Sequence, residues 1–143
     1  MQSLNSKRKY HVYILKLEQG KYYVGVTSKA PEERFVEHKN GFYAAEWTKI
    51  YKPIKIEQAK DLGFTTYAIA EEYENKVTRV YIKKYGINNV RGGNLTYRGK
   101  YIKRFGWVYP EDSWETIVLV TLLTVIMLIF GIYTIVDTTV GIN

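Results

Sequence analysis

Tyr10–Leu17, YHVYILKL, and Lys21–Thr27, KYYVGVT, flank the tripeptide Glu18-Gln19-Gly20. Both runs are dominated by aromatic and β-branched residues, which suit a pleated, half-buried surface. The three residues between them leave room only for a tight turn, so the two runs form an antiparallel hairpin. The hairpin sets Tyr13 and Tyr23 on adjacent strands. Gly25 follows Tyr23 by two residues, where a missing side chain marks a bulge or lets a backbone or ligand approach closely.

Working outward, Pro31 opens a short helix and Gly41 lies just past its end, giving a helix over Pro31–Lys39. Arg34 and His38 are four apart and share one face of it. Such a pair suits gripping and neutralising a phosphate. Phe42, Tyr43 and Trp47 fall in a loop that runs to Pro53. Ile54–Glu57 alternates and reads as a third strand. Thr65 or Thr66 caps a long helix that runs to Tyr85, with Gly86 ending it. Val77, Thr78, Tyr81, Ile82 and Tyr85 mark its inward face. Glu74 lies on that same face, Glu71 lies near it, and Glu72 points more to solvent. A carboxylate facing a core is costly unless paired, hydrogen-bonded or holding a metal. Asn88–Asn94, NNVRGGN, is a turn-rich loop. The expected fold is α+β, a small antiparallel three-stranded sheet flanked by helices.

The rest of the chain is of another kind. Thr116–Val136 contains no formal charge, and a 21-residue helix rising about 1.5 Å per residue spans roughly 30 Å, the hydrocarbon thickness of a bilayer. Trp107, Tyr109 and Trp114 precede it like an interfacial aromatic belt. The chain has 143 residues, with 21 Lys and Arg against 14 Asp and Glu. All 21 basic residues precede Thr116, with 13 of the acids, so that region carries +8. Arg98, Lys100, Lys103 and Arg104 lie before the apolar segment and no basic residue follows it. The expectation is a single-pass membrane protein whose N-terminal domain faces the cytosol, with the span placed like a tail anchor and no signal peptide. The expected divisions are a basic arm (1–9), a folded domain (10–97), a basic and aromatic juxtamembrane linker (98–115), the span (116–136) and a short tail (137–143). The absence of cysteine excludes disulfides, thiolate metal sites and a Cys nucleophile.

Taken together, HVY (His11–Tyr13), YVG (Tyr23–Gly25), ERFVEH on the short helix, Glu74 and NVRGG resemble the GIY-YIG nuclease superfamily. The resemblance is closest to its small stand-alone members. It runs through WTKIYKP (Trp47–Pro53) and KKYGINNVRGG (Lys83–Gly93), covering about Tyr10–Asn94, and does not reach the tail. It implies that Tyr13 sits beside the attacked phosphate and activates water, that Tyr23 positions the phosphate, and that Arg34 stabilises its charge. His38 matches the accompanying His or Tyr position and Gly25 the motif glycine. Glu74 stands at the metal-binding position, with Glu71 and Glu72 as rivals, and Asn89 at the late Asn, with Asn88 and Asn94 as rivals. Two departures are His11 where the first motif has Gly and a spacing of only nine residues between the tyrosines.

The implied activity is a membrane-anchored endonuclease that hydrolyses nucleic-acid phosphodiester bonds with one divalent ion, Mg2+ or Mn2+. Mg2+ prefers oxygen ligands and keeps several waters, so one carboxylate suffices to hold it. A phenol with an ordinary pKa near 10 is a poor base, so Tyr13 needs Arg34, Lys16 or the metal nearby. The basic surface points to nucleic acid as partner, with DNA expected, and Lys49, Lys52, Trp47 and Arg91 are candidate contacts. Residues 98–104 have a second claimant, anionic lipid headgroups. The competing expectation is a catalytically inactive nucleic-acid-binding or membrane scaffold that keeps the fold.

Overall fold

The computed structural model describes residues 6–104 and 106–140. Residues 1–5 of the expected arm and 141–143 of the expected tail lie outside the described residues. The chain divides into two compact units, Met1–Arg98 and Gly99–Asn143.

The first unit is a mixed α+β domain. Strands β1 (Arg8–Leu17) and β2 (Tyr22–Thr27) form the hairpin, with Gln19 and Gly20 at positive φ in its turn. Helix α1 (Pro31–Asn40) starts on Pro31 and stops at left-handed Gly41, whose N–H reaches back to His38 O. Helix α2 (Glu46–Ile50) occupies part of the expected loop. It buries Trp47 and Thr48, a tertiary contact that five residues do not advertise in sequence. Strand β3 (Pro53–Thr65) follows, then helix α3 (Tyr67–Tyr85) and strand β4 (Val90–Arg91). Thr66 caps α3 by accepting from Ile69 N–H, and the N–H of Gly86 closes its last turn on Ile82 O.

The sheet has four strands rather than three, in the order β3-β1-β2-β4. The extra strand is part of the segment read as a loop. Its two residues pair parallel to β2, Tyr22 with Val90 and Tyr23 with Arg91, and a strand that short gives no alternation to read. β3 is also far longer than its IKIE core. Its polar second half is held by pairing to β1, from Lys60 opposite Val12 to Thr65 opposite Arg8. A bulge where the register shifts between Tyr10 and His11 carries Gly63 at φ +69.

Strand alternation makes two cores. Val12, Ile14, Tyr22 and Val24 face α3, against Tyr73, Val77, Tyr81 and Ile82. Tyr13, Leu15 and Leu17 face the other way, against Phe35 of α1 and Trp47 of α2. The sheet therefore carries helices on both faces, and both motif tyrosines point to the side of α1 and α2.

In the second unit, β5 (Tyr101–Arg104) and β6 (Trp107–Pro110) form an antiparallel hairpin within the expected linker. Helix α4 (Trp114–Val140) follows. The Trp114 ring lies 5.8 Å from Tyr109 and beneath the guanidinium of Arg104. The stretch Glu111–Ile132 has a mean hydropathy of 2.5 and is long and apolar enough to cross a membrane. Thr121 and Thr124 donate their hydroxyls back to carbonyls of Ile117 and Thr121, so neither leaves an unpaired polar group on the apolar surface.

Candidate active site

The Tyr13 ring lies over Gly25, its partner across the hairpin. A methyl group at residue 25 would sit 2.5 Å from Tyr13 Oη and 2.9 Å from Tyr23 Cε1, so the glycine is what admits the phenol. Tyr13 Oη is 2.8 Å from His38 Nε2, and His38 Nδ1 is 2.8 Å from Thr48 Oγ1. The Tyr23 ring closes the cluster, 5.0 Å from the imidazole and 6.3 Å from the Tyr13 ring. Two strands and two helices thus contribute to one buried group of side chains.

Arg34 lies one helical turn before His38, and its positive charge acts on the Tyr13 phenol. It also donates to the Tyr43 carbonyl and pairs with Glu37, which in turn holds Lys29. These cations and Arg8 line an open groove of about 600 Å3, walled by Tyr10, Tyr43 and Tyr67. Tyr43 is held there at φ +51 with its ring exposed.

Burial dominates the titration of the cluster. It pushes the Tyr13 phenol up to about 12 despite the opposing charge of Arg34. It also raises Tyr23, with Tyr13 and Glu74 adding to the effect. His38 moves down to about 4, through burial first and then the positive charge of Arg34. At neutral pH the site therefore holds two neutral phenols, a neutral imidazole and a guanidinium.

Glu74 approaches from α3, on the other face of the sheet. Its charge nonetheless acts on both Tyr13 and Tyr23. β4 pairs only with the first two residues of β2, so beyond Tyr23 the edge of β2 is not extended by another strand and α3 can reach the same end of the sheet. Glu74 Oε1 accepts from Gly93 N–H at 2.7 Å. Burial raises its pKa, opposed by the Gly93 bond and reinforced by Glu71. Among the described residues no protein donor bonds Oε2, and no group of three or more His, Asp or Glu could cage an ion. One hard oxygen ligand, otherwise unshared, fits a cation that keeps most of its waters.

No family model matches the chain, and no solved structure matches it. A UPF0213 protein of Staphylococcus saprophyticus is 34% identical over 68 residues, 48% of this chain and 80% of that protein. The chain belongs to the UPF0213 family.

The remaining expected site residues of this UPF0213 chain fall elsewhere. Asn89 caps the end of α3 by donating to Tyr85 O, and its oxygen accepts from Lys21, so its amide is spent on structure. The rival Asn94 donates its backbone N–H to Asn75, beside Glu74 in sequence. Trp47 and Arg91 are buried, which corrects their reading as nucleic-acid contacts. The Trp47 indole donates to Tyr22 O, and Arg91 packs 4.2 Å from its ring while donating to the carbonyls of Ile87, Val90 and Tyr97. Neither can offer a face to a base. Lys49 pairs with Glu46, and neither it nor Lys52 lines the groove. Lys16 lies near Glu57. Sequence reasoning passed over Glu37, Thr48 and Tyr67. Only Glu37 carried a signal, its i,i+3 spacing from Arg34.

Proposed function

We propose that this UPF0213 chain is a GIY-YIG-type endonuclease, anchored in a membrane by residues 116–136 with its N-terminal domain facing the cytosol. The observation that carries this reading is the packing of Tyr13, Tyr23 and His38 into one cluster against Gly25, with Arg34 one helical turn from His38.

Hydrolysis needs a water aligned on phosphorus, relief of the growing negative charge, and departure of the far oxygen. Arg34, at the groove, supplies fixed positive charge for the phosphate. Tyr13 is too basic to be a phenolate at pH 7, so it works as a relay. Its oxygen takes the water proton as its own proton moves to His38 Nε2, the water oxygen bonds to phosphorus, and the bond to the leaving oxygen breaks. A bound phosphodiester, being anionic, raises the basicity of His38 and favours that transfer. Tyr23 packs the imidazole and the phenol in place. Glu74 would hold a Mg2+ or Mn2+ ion, which supplies charge relief at the departing oxygen. DNA is the expected substrate, and the groove cations Arg8, Lys29 and Arg34 would follow its backbone. Residues 98–104, with their basic side chains, would meet anionic lipid headgroups.

The test is to incubate the purified full chain in detergent with single-stranded, duplex and branched DNA and with RNA, in Mg2+ or in EDTA. Cleavage of at least one DNA in Mg2+ but not EDTA is expected. Binding without cleavage of any of them would replace this reading with that of a scaffold.

A further inference from the structure

The bond between Tyr13 and His38 has a direction, and the far side of the imidazole fixes it. At one end, Thr48 Oγ1 lies 2.8 Å from Ala45 O. Two oxygens that close need a proton between them, and only the threonine has one to give. With its proton spent, Thr48 meets His38 Nδ1 as an acceptor, so Nδ1 carries the imidazole proton. At the other end, the positive charge of Arg34 acts on the Tyr13 oxygen, which favours a phenol proton turned away from the guanidinium. With the proton on Nδ1, Nε2 of the neutral ring is bare and accepts the Tyr13 hydroxyl. The opposite tautomer would leave the Tyr13 proton without that acceptor and set Thr48 and Ala45 oxygens against each other. His38 and Thr48 are both 0% exposed, so water does not compete for the bond between them.

We propose that Thr48 is a positioning residue that locks His38 as the Nδ1–H tautomer, so that Tyr13 hands its proton inward and presents its oxygen to the substrate. Its consequence for catalysis rests on the nuclease reading above. The tautomer does not, because it exists without substrate. The neutral imidazole at pH 7 agrees with the proposal, since a protonated ring would have no lone pair to offer.

The chain has only two histidines, so the full-length protein labelled with 15N in its imidazole rings, held in detergent micelles, gives two ring systems. His11→Gln assigns them. At pH 7 the wild type should show His38 protonated at Nδ1 and bare at Nε2. Thr48→Val keeps the branched shape without the hydroxyl and should shift His38 toward the Nε2–H form, while Thr48→Ser should keep the wild-type pattern. An Nε2–H ring in the wild type, or an unchanged ring in Thr48→Val, overturns the proposal. If the valine variant does not fold, the wild-type and serine spectra decide on their own. In cleavage, Thr48→Val should lower kcat by about tenfold or more with KM unchanged, and serine should restore it. A changed tautomer with unchanged kcat would overturn the positioning role. If no form of the protein cleaves, the nuclease reading fails while the spectra still decide the tautomer.

Discussion

Replacing Gly25 with alanine tests the geometry of the site through a single methyl group. Gly25 lies outside the left-handed region, so alanine costs nothing in backbone conformation. The cost is steric. The new Cβ would lie 2.5 Å from Tyr13 Oη, 2.7 Å from Tyr13 Cζ and 2.9 Å from Tyr23 Cε1, whereas ordinary contact begins at 3.4 Å. The phenol must retreat by roughly 0.9 Å, and its 2.8 Å bond to His38 cannot survive that unchanged. Overpacking of this size costs about 1–3 kcal/mol of stability. A misplacement of about 1 Å at a reacting group costs on the order of 10²-fold in rate. Urea unfolding measures the first and single-turnover cleavage the second. The cause is isolated by repeating Gly25→Ala in a Tyr13→Ala background, where the clash with Tyr13 is gone. Its stability cost there should fall by about 1 kcal/mol or more. An equal cost in both backgrounds, or a Gly25→Ala protein as stable and active as wild type, would refute the reasoning.

Because burial raises the pKa of Glu74, the folded state binds its proton more tightly than the unfolded state, and stability falls as pH rises through the raised value. Thermal melts in EDTA should show Glu74→Gln at least as stable as wild type at pH 7, whereas added Mg2+ should raise the Tm of wild type alone. His38 works in the opposite sense. Its folded pKa of about 4 lies below the ordinary 6.5, so its contribution is complete above pH 6.5 and is lost as pH falls toward 4. That contribution is on the order of 3 kcal/mol, and denaturant titrations should show it missing in His38→Gln. Arg91→Lys should destabilise the fold by about 1–3 kcal/mol, since lysine cannot satisfy three carbonyls and pack on Trp47. Lys49→Ala, at an exposed pair, should change stability by less than about 0.5 kcal/mol in the same titration.

The hairpin, α1, α3 and the apolar helix were legible because each carries local chemistry: period-2 apolar runs, Pro31 and Gly41, Thr66 and Gly86, and an uncharged stretch. β4 and the long arm of β3 were not, because pairing with β2 and β1 holds them rather than any pattern of their own. The same division runs through the site. Tyr13, Tyr23, Arg34, His38 and Glu74 stand in recognisable motifs, and hairpin register or helical spacing relates the residues within each element. Thr48 stands in EWTKI with nothing local to mark it, since its role comes from α2 docking against α1. Trp47 and Arg91 misled for a related reason. An aromatic and a cation read as surface chemistry in a basic chain, but here they pack on each other and their polar atoms are spent on carbonyls. The charge of the chain also lost part of its apparent meaning, since Glu37 already holds Arg34 and Lys29 in the groove.

The central claim is that Tyr13, Tyr23, Arg34 and Glu74 serve one reaction. It is tested most directly by single-turnover cleavage in Mg2+ by the full chain and by its Tyr13→Phe, Tyr23→Phe, Arg34→Ala and Glu74→Ala variants. Groups acting as a unit are not additive, so each variant should lose on the order of 10²-fold or more, and the Arg34→Ala/Glu74→Ala double variant little beyond the worse of the two. Cleavage that persists at the wild-type rate in that double variant would contradict the account.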